Sequence, residues 1–370
     1  MRVVSGQALR RWSIVAAGTA LLCALPAVVA AWPVPASALT AAQLRTRIIS
    51  SADVSFQGYA ESDIDLNLPS LPNLVGVTAL LDGSTDQYVW YRSPAQWRAD
   101  VLTAAGENDT YQTSSGTYQW EYADDVLTQV IGNQPVRLPR ASDLLPPALG
   151  RRLLALAGRT DRFSRLPSRR VAGVDAAGLR IVPSESGTTI SAVDVWADPA
   201  TGLPVEVELF GLGSAAPVLT TRFLDVSLTT PPLSVVTPHP GPGVDESVAS
   251  LPDAAGILNG YGPILPSQLG RVHATASPPG LSDVAVYGSG FARFAVVPLP
   301  IRAGNEVIDA ASSAGASIPM RGGTAVLVRT PLLTMVLVRS TDGPVYMLTG
   351  AVTAEVLERA CGNLLTEEGF

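Results

Sequence analysis

The chain has 370 residues, 47% hydrophobic and 15% charged. That composition excludes intrinsic disorder and leaves room for two domains, each with its own core. The formal net charge is −7, and the 25 basic residues are all arginine; an acidic chain of this kind is not built to hold nucleic acid.

Residues 1–38 read as an export signal. Arg2, Arg10 and Arg11 form its positive end, Trp12–Trp32 is an uncharged and mostly apolar run, Pro33 and Pro35 break it, and Ala36-Ser37-Ala38 is a small-x-small cleavage site. The run is also long enough to span a bilayer as a retained anchor, but the small residues favour cleavage. Cleavage removes three arginines and no acids, taking the net charge from −7 to −10. It also leaves Cys361 as the one cysteine, so the expected extracytoplasmic protein holds its fold without an internal disulfide.

The first domain is expected over residues 39–229. Thr40–Ser51 reads as a short helix capped by Thr40, with Leu44, Ile48 and Ile49 on one face. Asp53–Leu68 alternates as a long strand. Pro69–Gly83 reads as a loop carrying a short apolar helix (Leu71, Leu74, Val77, Leu80, Leu81). A meander of strands follows at Gln87–Arg92, Gln96–Leu102, Glu107–Thr113, Thr117–Tyr122 and Val126–Ile131. Ala141–Arg159 interrupts it as a helix with a leucine stripe and a break at Pro146-Pro147. Strands then resume at Arg169–Val174, Gly178–Pro183, Ile190–Ala197, Leu203–Phe210 and Leu219–Leu228. The clearest local signal is the hairpin Val193–Glu208. Both arms alternate with a period of two around Asp198-Pro199-Ala200-Thr201-Gly202, where Pro199 presets one corner and Gly202 can take the left-handed one. Its valines, Val195 and Val207 among them, face a cavity or core, and Asp194, Glu206 and Glu208 are expected on the outside.

Residues 230–263 are rich in proline and read as a linker. Residues 264–370 read as a smaller α+β unit: a hairpin of Asp283–Tyr287 and Phe291–Leu299, three further strands at Thr324–Arg329, Leu332–Arg339 and Val345–Gly350, and a closing helix Thr353–Leu365.

The constellations of catalysis are missing from the sequence. His239 and His273 have no metal-ligand spacing, and there is no G-x-S-x-G, H-E-x-x-H or C-x-x-C. Two features remain. Leu144, Leu145, Leu149, Leu153 and Leu156 form a stripe that either packs on the sheet as core or serves as a lid over an apolar cavity fit for an acyl chain. Arg151, Arg152, Arg159, Arg162, Arg165, Arg169 and Arg170 crowd one short stretch with Asp161 as its acid. They are either a solvated helix end and loop or a docking patch for an anionic headgroup or acidic partner segment.

Three stretches taken in order carry a family resemblance. Tyr88–Arg98 (Y-V-W-Y-R-S-P-A-Q-W-R), Gly116–Tyr122 (G-T-Y-Q-W-E-Y) and Trp196–Glu208 (W-A-D-P-A-T-G-L-P-V-E-V-E), with the leucine helix inserted before the last, resemble the LolA-like fold. The two-domain plan with its proline-rich linker resembles the sigma-E regulatory protein RseB (MucB) family, over about residues 40–365. The resemblance implies an α+β chain: an N-terminal open antiparallel β-barrel with a helical lid, then a smaller C-terminal α+β domain. It also implies an exported, non-enzymatic protein without cofactor or metal that binds the extracytoplasmic part of a membrane anti-sigma factor and can hold a lipid or acyl chain. The alternative within the same fold is a lipid or lipoprotein carrier of the LolA type. The Leu68–Gly83 stretch is longer than in that family.

Overall fold

The computed structural model describes residues 10–20, 33–67, 79–103, 106–131, 139–250, 265–275, 283–313, 315–320, 323–340 and 345–367. Residues 10–20 are helical and exposed, and no helix among the described residues is long and apolar enough to cross a membrane. Most of the Pro69–Gly83 stretch lies outside the described residues. Its last turn is helical at 79–81 and places Leu80 and Leu81 against the core.

Alternation of apolar and polar residues builds a first sheet of twelve described strands. They are β1 (Phe56–Asp65), β2 (Asp82–Ser93), β3 (Gln96–Thr103), β4 (Gly106–Thr113), β5 (Gly116–Glu121), β6 (Val126–Ile131), β7 (Arg162–Val171), β8 (Val174–Val182), β9 (Ile190–Ala197), β10 (Pro204–Gly211), β11 (Leu219–Ser227) and β12 (Asp245–Ser250). The spatial order is β12-β6-β5-β4-β3-β2-β1-β11-β10-β9-β8-β7. It is an open sheet with two ends, antiparallel except where β12 joins β6 in parallel. That last pairing changes the reading of the linker. Asp245–Ser250 extend the first sheet, and Val244 packs beside Tyr111, Trp120 and Leu127.

Two helices cover one face. α1 (Ala41–Ser50) begins at a reciprocal cap, in which Thr40 Oγ1 accepts from the Gln43 amide at 3.2 Å and Gln43 Oε1 accepts from the Thr40 amide at 2.9 Å. α2 (Pro146–Leu156) follows a 3₁₀ turn at Ala141–Leu144. The proline pair opens this helix rather than breaking it, because the first turn has no intrahelical use for the missing N–H groups. Gly150 lets α2 settle onto the hairpin: a Cβ there would sit 3.1 Å from the Pro204 ring and 3.3 Å from Val207 Cγ2. The hairpin turn docks on α1 in the same way. Gly202 has φ +79° and its missing side chain would meet the Arg47 carbonyl, while Arg47 donates to the Pro199 carbonyl.

The sequence pattern predicts a strand only from Arg169, yet β7 begins at Arg162 and bulges between Leu166 and Arg169. Pro167 and the local arginine density masked its alternation.

A second sheet of eight described strands forms the C-terminal unit: β13 (Gln268–Leu269), β14 (Val272–Thr275), β15 (Ala285–Tyr287), β16 (Phe294–Leu299), β17 (Ala316–Met320), β18 (Gly323–Arg329), β19 (Thr334–Ser340) and β20 (Val345–Gly350). Its helices take opposite faces. α4 (Ala354–Glu367) packs Leu357, Cys361 and Leu364 against Tyr346 and Leu348, whereas α3 (Ile301–Ser312), which the sequence reading missed, packs Ile308 and Ala311 against Val326 and Leu337.

The two units touch through the loop before β9. Glu185 accepts from Ser289 Oγ at 3.1 Å and the Phe291 amide at 3.2 Å. Thr188 Oγ1 donates to the Ala351 carbonyl at 2.9 Å, and Thr189 Oγ1 to the Leu332 carbonyl at 2.5 Å. Phe291 and Leu332 are buried in the first unit's core.

Candidate binding surface

The leucine stripe is part of the core in this structure. Leu144 and Leu153 are buried in one cluster with Leu44, Ile48, Val195 and Val207, and Leu149 and Leu156 pack against that cluster half-buried. Leu145 is buried in the neighbouring cluster with Phe56, Val89 and Phe223. Val195 and Val207 are fully enclosed, each stabilising the sheet by roughly 1.5–3 kcal/mol relative to exposure. The side chains offered by the sequence as a cavity lining are therefore brought together, in contact with one another.

The opposite face of the sheet is more polar, and it differs from expectation. Asp194 and Glu206 are 2% and 4% exposed, not on an outer solvated surface. Arginines from neighbouring strands roof them. Arg180 grips Asp194 through Nε to Oδ1 at 2.7 Å and Nη2 to Oδ2 at 2.6 Å, a bidentate pair. Arg169 Nη1 donates to Glu206 at 2.7 Å and Glu208 at 2.8 Å, and its guanidinium lies 3.7 Å from the centre of the Trp196 ring. Burial raises the pKa of Glu206 and Arg169 opposes the rise. Trp196 lies across Gly178 and donates to the Pro167 carbonyl at 3.1 Å. Leu166, Pro167, Arg180, Trp196 and Phe210 line a shallow cavity of about 340 Å³ here.

Register carries this face across the sheet. Trp196 opposes Glu206, Glu206 opposes Arg222, Arg222 opposes Glu61 and Glu61 opposes Asp86. The same side of β2–β4 holds a cluster that sequence reasoning missed. Arg98 Nε donates to Asp100 at 2.6 Å, and Nη2 donates to Asp109 at 2.7 Å and to Glu107 at 3.3 Å. Tyr111 donates to Asp109 at 3.1 Å, and Trp90 and Tyr111 flank the guanidinium at 5.1 and 5.0 Å. Asp100 and Asp109 face each other across β3 and β4 and are each 1% exposed. Burial drives both carboxyls upward, Asp100 to about 8 and Asp109 to about 6, against the pull of Arg98. The signal was present in R-x-D on β3 and E-x-D-x-Y on β4, where charges fall on every second residue. The three carboxylates lie close enough to share an ion, but the Arg98 guanidinium already stands among them as the cation.

The predicted arginine patch divides. Arg151 is half-buried and donates to the Ser51 carbonyl at 3.4 Å, and burial lowers its pKa. Arg169 serves Glu206 and Glu208, and Arg170 pairs with Asp175 at 2.8 Å. Arg152, Arg159 and Arg162 are exposed and Arg165 is half-buried; these four make no ion pair among the described residues. Arg165 lies on the helix-bearing face, opposite Leu179. Two residues earlier on that face, Phe163 carries the guanidinium of Arg45 at 4.3 Å, a neighbour the sequence did not bring to the patch.

Compared with known proteins, the chain matches no family model and no curated protein. Among solved structures it is similar to MucB in complex with MucA(peri), at 16% identity and a TM-score of 0.49, over 87% of this chain and 97% of that one. It is similar also to the Pseudomonas aeruginosa MucA/MucB complex, at 16% identity and a TM-score of 0.49, over 86% and 96%. A LolA superfamily protein from Nitrosomonas europaea aligns at 12% identity and a TM-score of 0.23, over 54% and 99%.

Proposed function

We propose that this chain is an exported, non-enzymatic regulator that binds the extracytoplasmic segment of a membrane anti-sigma factor, as the RseB-like resemblance of its sequence implies. The observation that carries the reading is the terminal strand of an open sheet, β7, with Arg162 and Arg165 on it and Arg159 just before it, none in an ion pair among the described residues, in a chain of net negative charge. A protein segment bearing acids is the ligand such an edge attracts. The direct contacts through Glu185, Thr188 and Thr189 add support, since they make the C-terminal unit part of the same body, which a carrier of single lipids does not need.

The carrier alternative draws on the leucine helix. Its weakness is that Leu144 and Leu153 already fill the space against Val195 and Val207. Both readings are tested by capture with the mature chain, using the extracytoplasmic regions of the host's membrane anti-sigma factors and, separately, mass spectrometry of extracted lipids. Recovery of lipid with no retention of the anti-sigma region rejects the regulatory reading.

A further inference from the structure

We propose that Arg45, Phe163 and Arg165, at the seam between α1 and β7, form a carboxylate-binding site whose occupant is an extended acidic segment of the partner protein. The proposal rests on the regulatory reading above and deepens it.

Two guanidinium groups at this seam have donors with no acceptor. Arg45 is held over the Phe163 ring at 4.3 Å, yet its Nε is buried and makes no hydrogen bond. Arg165 projects on the same side of β7 two residues further on, about 7 Å along the strand, and its Nη1 is likewise buried without a partner. Those two nitrogens are enclosed, but each side chain as a whole is only half-buried and has no ion pair among the described residues, so an incoming carboxylate can form a charge-assisted pair with it. Desolvation lowers the pKa of Arg165, and no carboxylate offsets the loss. The contrast with the other face of the same strands is informative. There, Arg169 and Arg180 each receive an acid from this chain. At the α1–β7 seam neither Arg45 nor Arg165 has an ion pair among the described residues, although the chain is acidic overall.

The shape favours a peptide over a lipid headgroup. β7 is the last described strand of its sheet, so residues 162–166 offer a strand edge to an extended chain. Arg162 and Arg159 continue the cationic row along that edge and are exposed. The leucines nearby are packed rather than arranged around an opening for acyl chains. Arg45 fixes the position of the site because its guanidinium rests over the Phe163 ring at 4.3 Å before any ligand arrives.

The test uses the full mature chain and a fluorescein-labelled glutamate-rich peptide, with its glutamine counterpart as control, read by anisotropy. The glutamate peptide should bind and the glutamine peptide should not. Raising salt from about 50 to about 200 mM should weaken binding by roughly tenfold, a readout on the wild-type chain that needs no variant. Arg45→Gln and Arg165→Gln should each weaken it by roughly tenfold, while Arg222→Gln, on the other face, should leave it unchanged. Equal binding of the two peptides, or unchanged affinity in the double variant, overturns the site. So does binding of phosphatidylglycerol vesicles that depends on Arg45 and Arg165 when the peptide does not bind. Capture of the anti-sigma region separates the two claims. If wild type and double variant capture it equally, the site fails and the regulatory reading stands; if neither captures it but the peptide binds through Arg45 and Arg165, the reading fails and the site stands.

Discussion

Alkali should loosen the first sheet through the Asp100–Asp109 pair. The pair sits at 1% exposure with one guanidinium, Arg98, shared among three carboxylates. Folded, Asp100 titrates at about 8 and Asp109 at about 6; unfolded, both return to about 3.9. The native state therefore binds more protons than the unfolded chain between these limits, and stability falls as pH rises through them. Across that interval the pair holds excess protons that the unfolded chain has lost, so stability should fall by on the order of 1 kcal/mol per pH unit. Asp109→Asn removes the second carboxylate, leaves Arg98 free to stabilise Asp100 as the anion, and so flattens the slope. The assay is urea unfolding at pH 6, 7 and 8, followed by tryptophan fluorescence, to which Trp90 contributes from 5.1 Å above Arg98. Glu206, also raised by burial, contributes equally to both proteins and cancels in the comparison. A difference between wild type and Asp109→Asn that stays constant from pH 6 to 8 would refute the reasoning.

Three further outcomes follow from the packing. Gly178→Ala places a Cβ 2.7 Å from that of Leu166 and 2.8 Å from Trp196 Nε1, so urea unfolding should show a loss of about 1–3 kcal/mol; no loss would mean that Trp196 can leave this position at little cost. Arg169→Ala strands Glu206 at 4% exposure and uncovers Trp196; a destabilisation of about 1–3 kcal/mol, with a shift in tryptophan emission, is expected in calorimetry and fluorescence. The Cys361 thiol is fully buried on α4 and its pKa is pushed up to about 12 by desolvation, so the native chain should not react with a thiol reagent at pH 8 until denaturant is added.

Most of the architecture was legible because it rests on short-range patterns. The hairpin at Val193–Glu208, the cap at Thr40 and strands such as Val126–Ile131 and Val345–Gly350 each follow from two-residue alternation or from a turn with its own chemistry. What escaped depends on what lies across the sheet. Asp194 and Glu206 looked like a solvated edge because nothing in their own strands shows Arg180 and Arg169 folding over them. The same blindness hid the pairing of Asp100 with Asp109, although both lie on correctly read strands. α3 was lost for a different reason: it follows Pro300 directly and has no side-chain cap hydrogen bond to announce it. At the candidate site, Phe163 and Arg165 lie ahead of the strand start that the sequence pattern predicts at Arg169, and Arg45 is one polar position on a short amphipathic helix. Only the fold brings α1 onto β7.

The position of β1 has a consequence for how the chain reaches this fold. The strand lies in the middle of the first sheet, between β2 and β11, and its register with β11 pairs Gln57 with Ser227 and Ile64 with Leu219. Those partners are separated by most of the first unit's sequence, and closing so long a loop is entropically costly before any contact rewards it. During synthesis, Phe56–Asp65 emerges early and can pair with β2 at once, but its other edge must wait for residues 219–227. The two halves of the sheet should thus form separately and join late. In pulsed hydrogen exchange during refolding, the β1–β11 amides should gain protection after those of β2–β4 and of the β9–β10 hairpin. Until residues 219–227 arrive, the unpaired edge of this central strand stays open to other chains, which makes the interval before the halves join the one most exposed to misassembly.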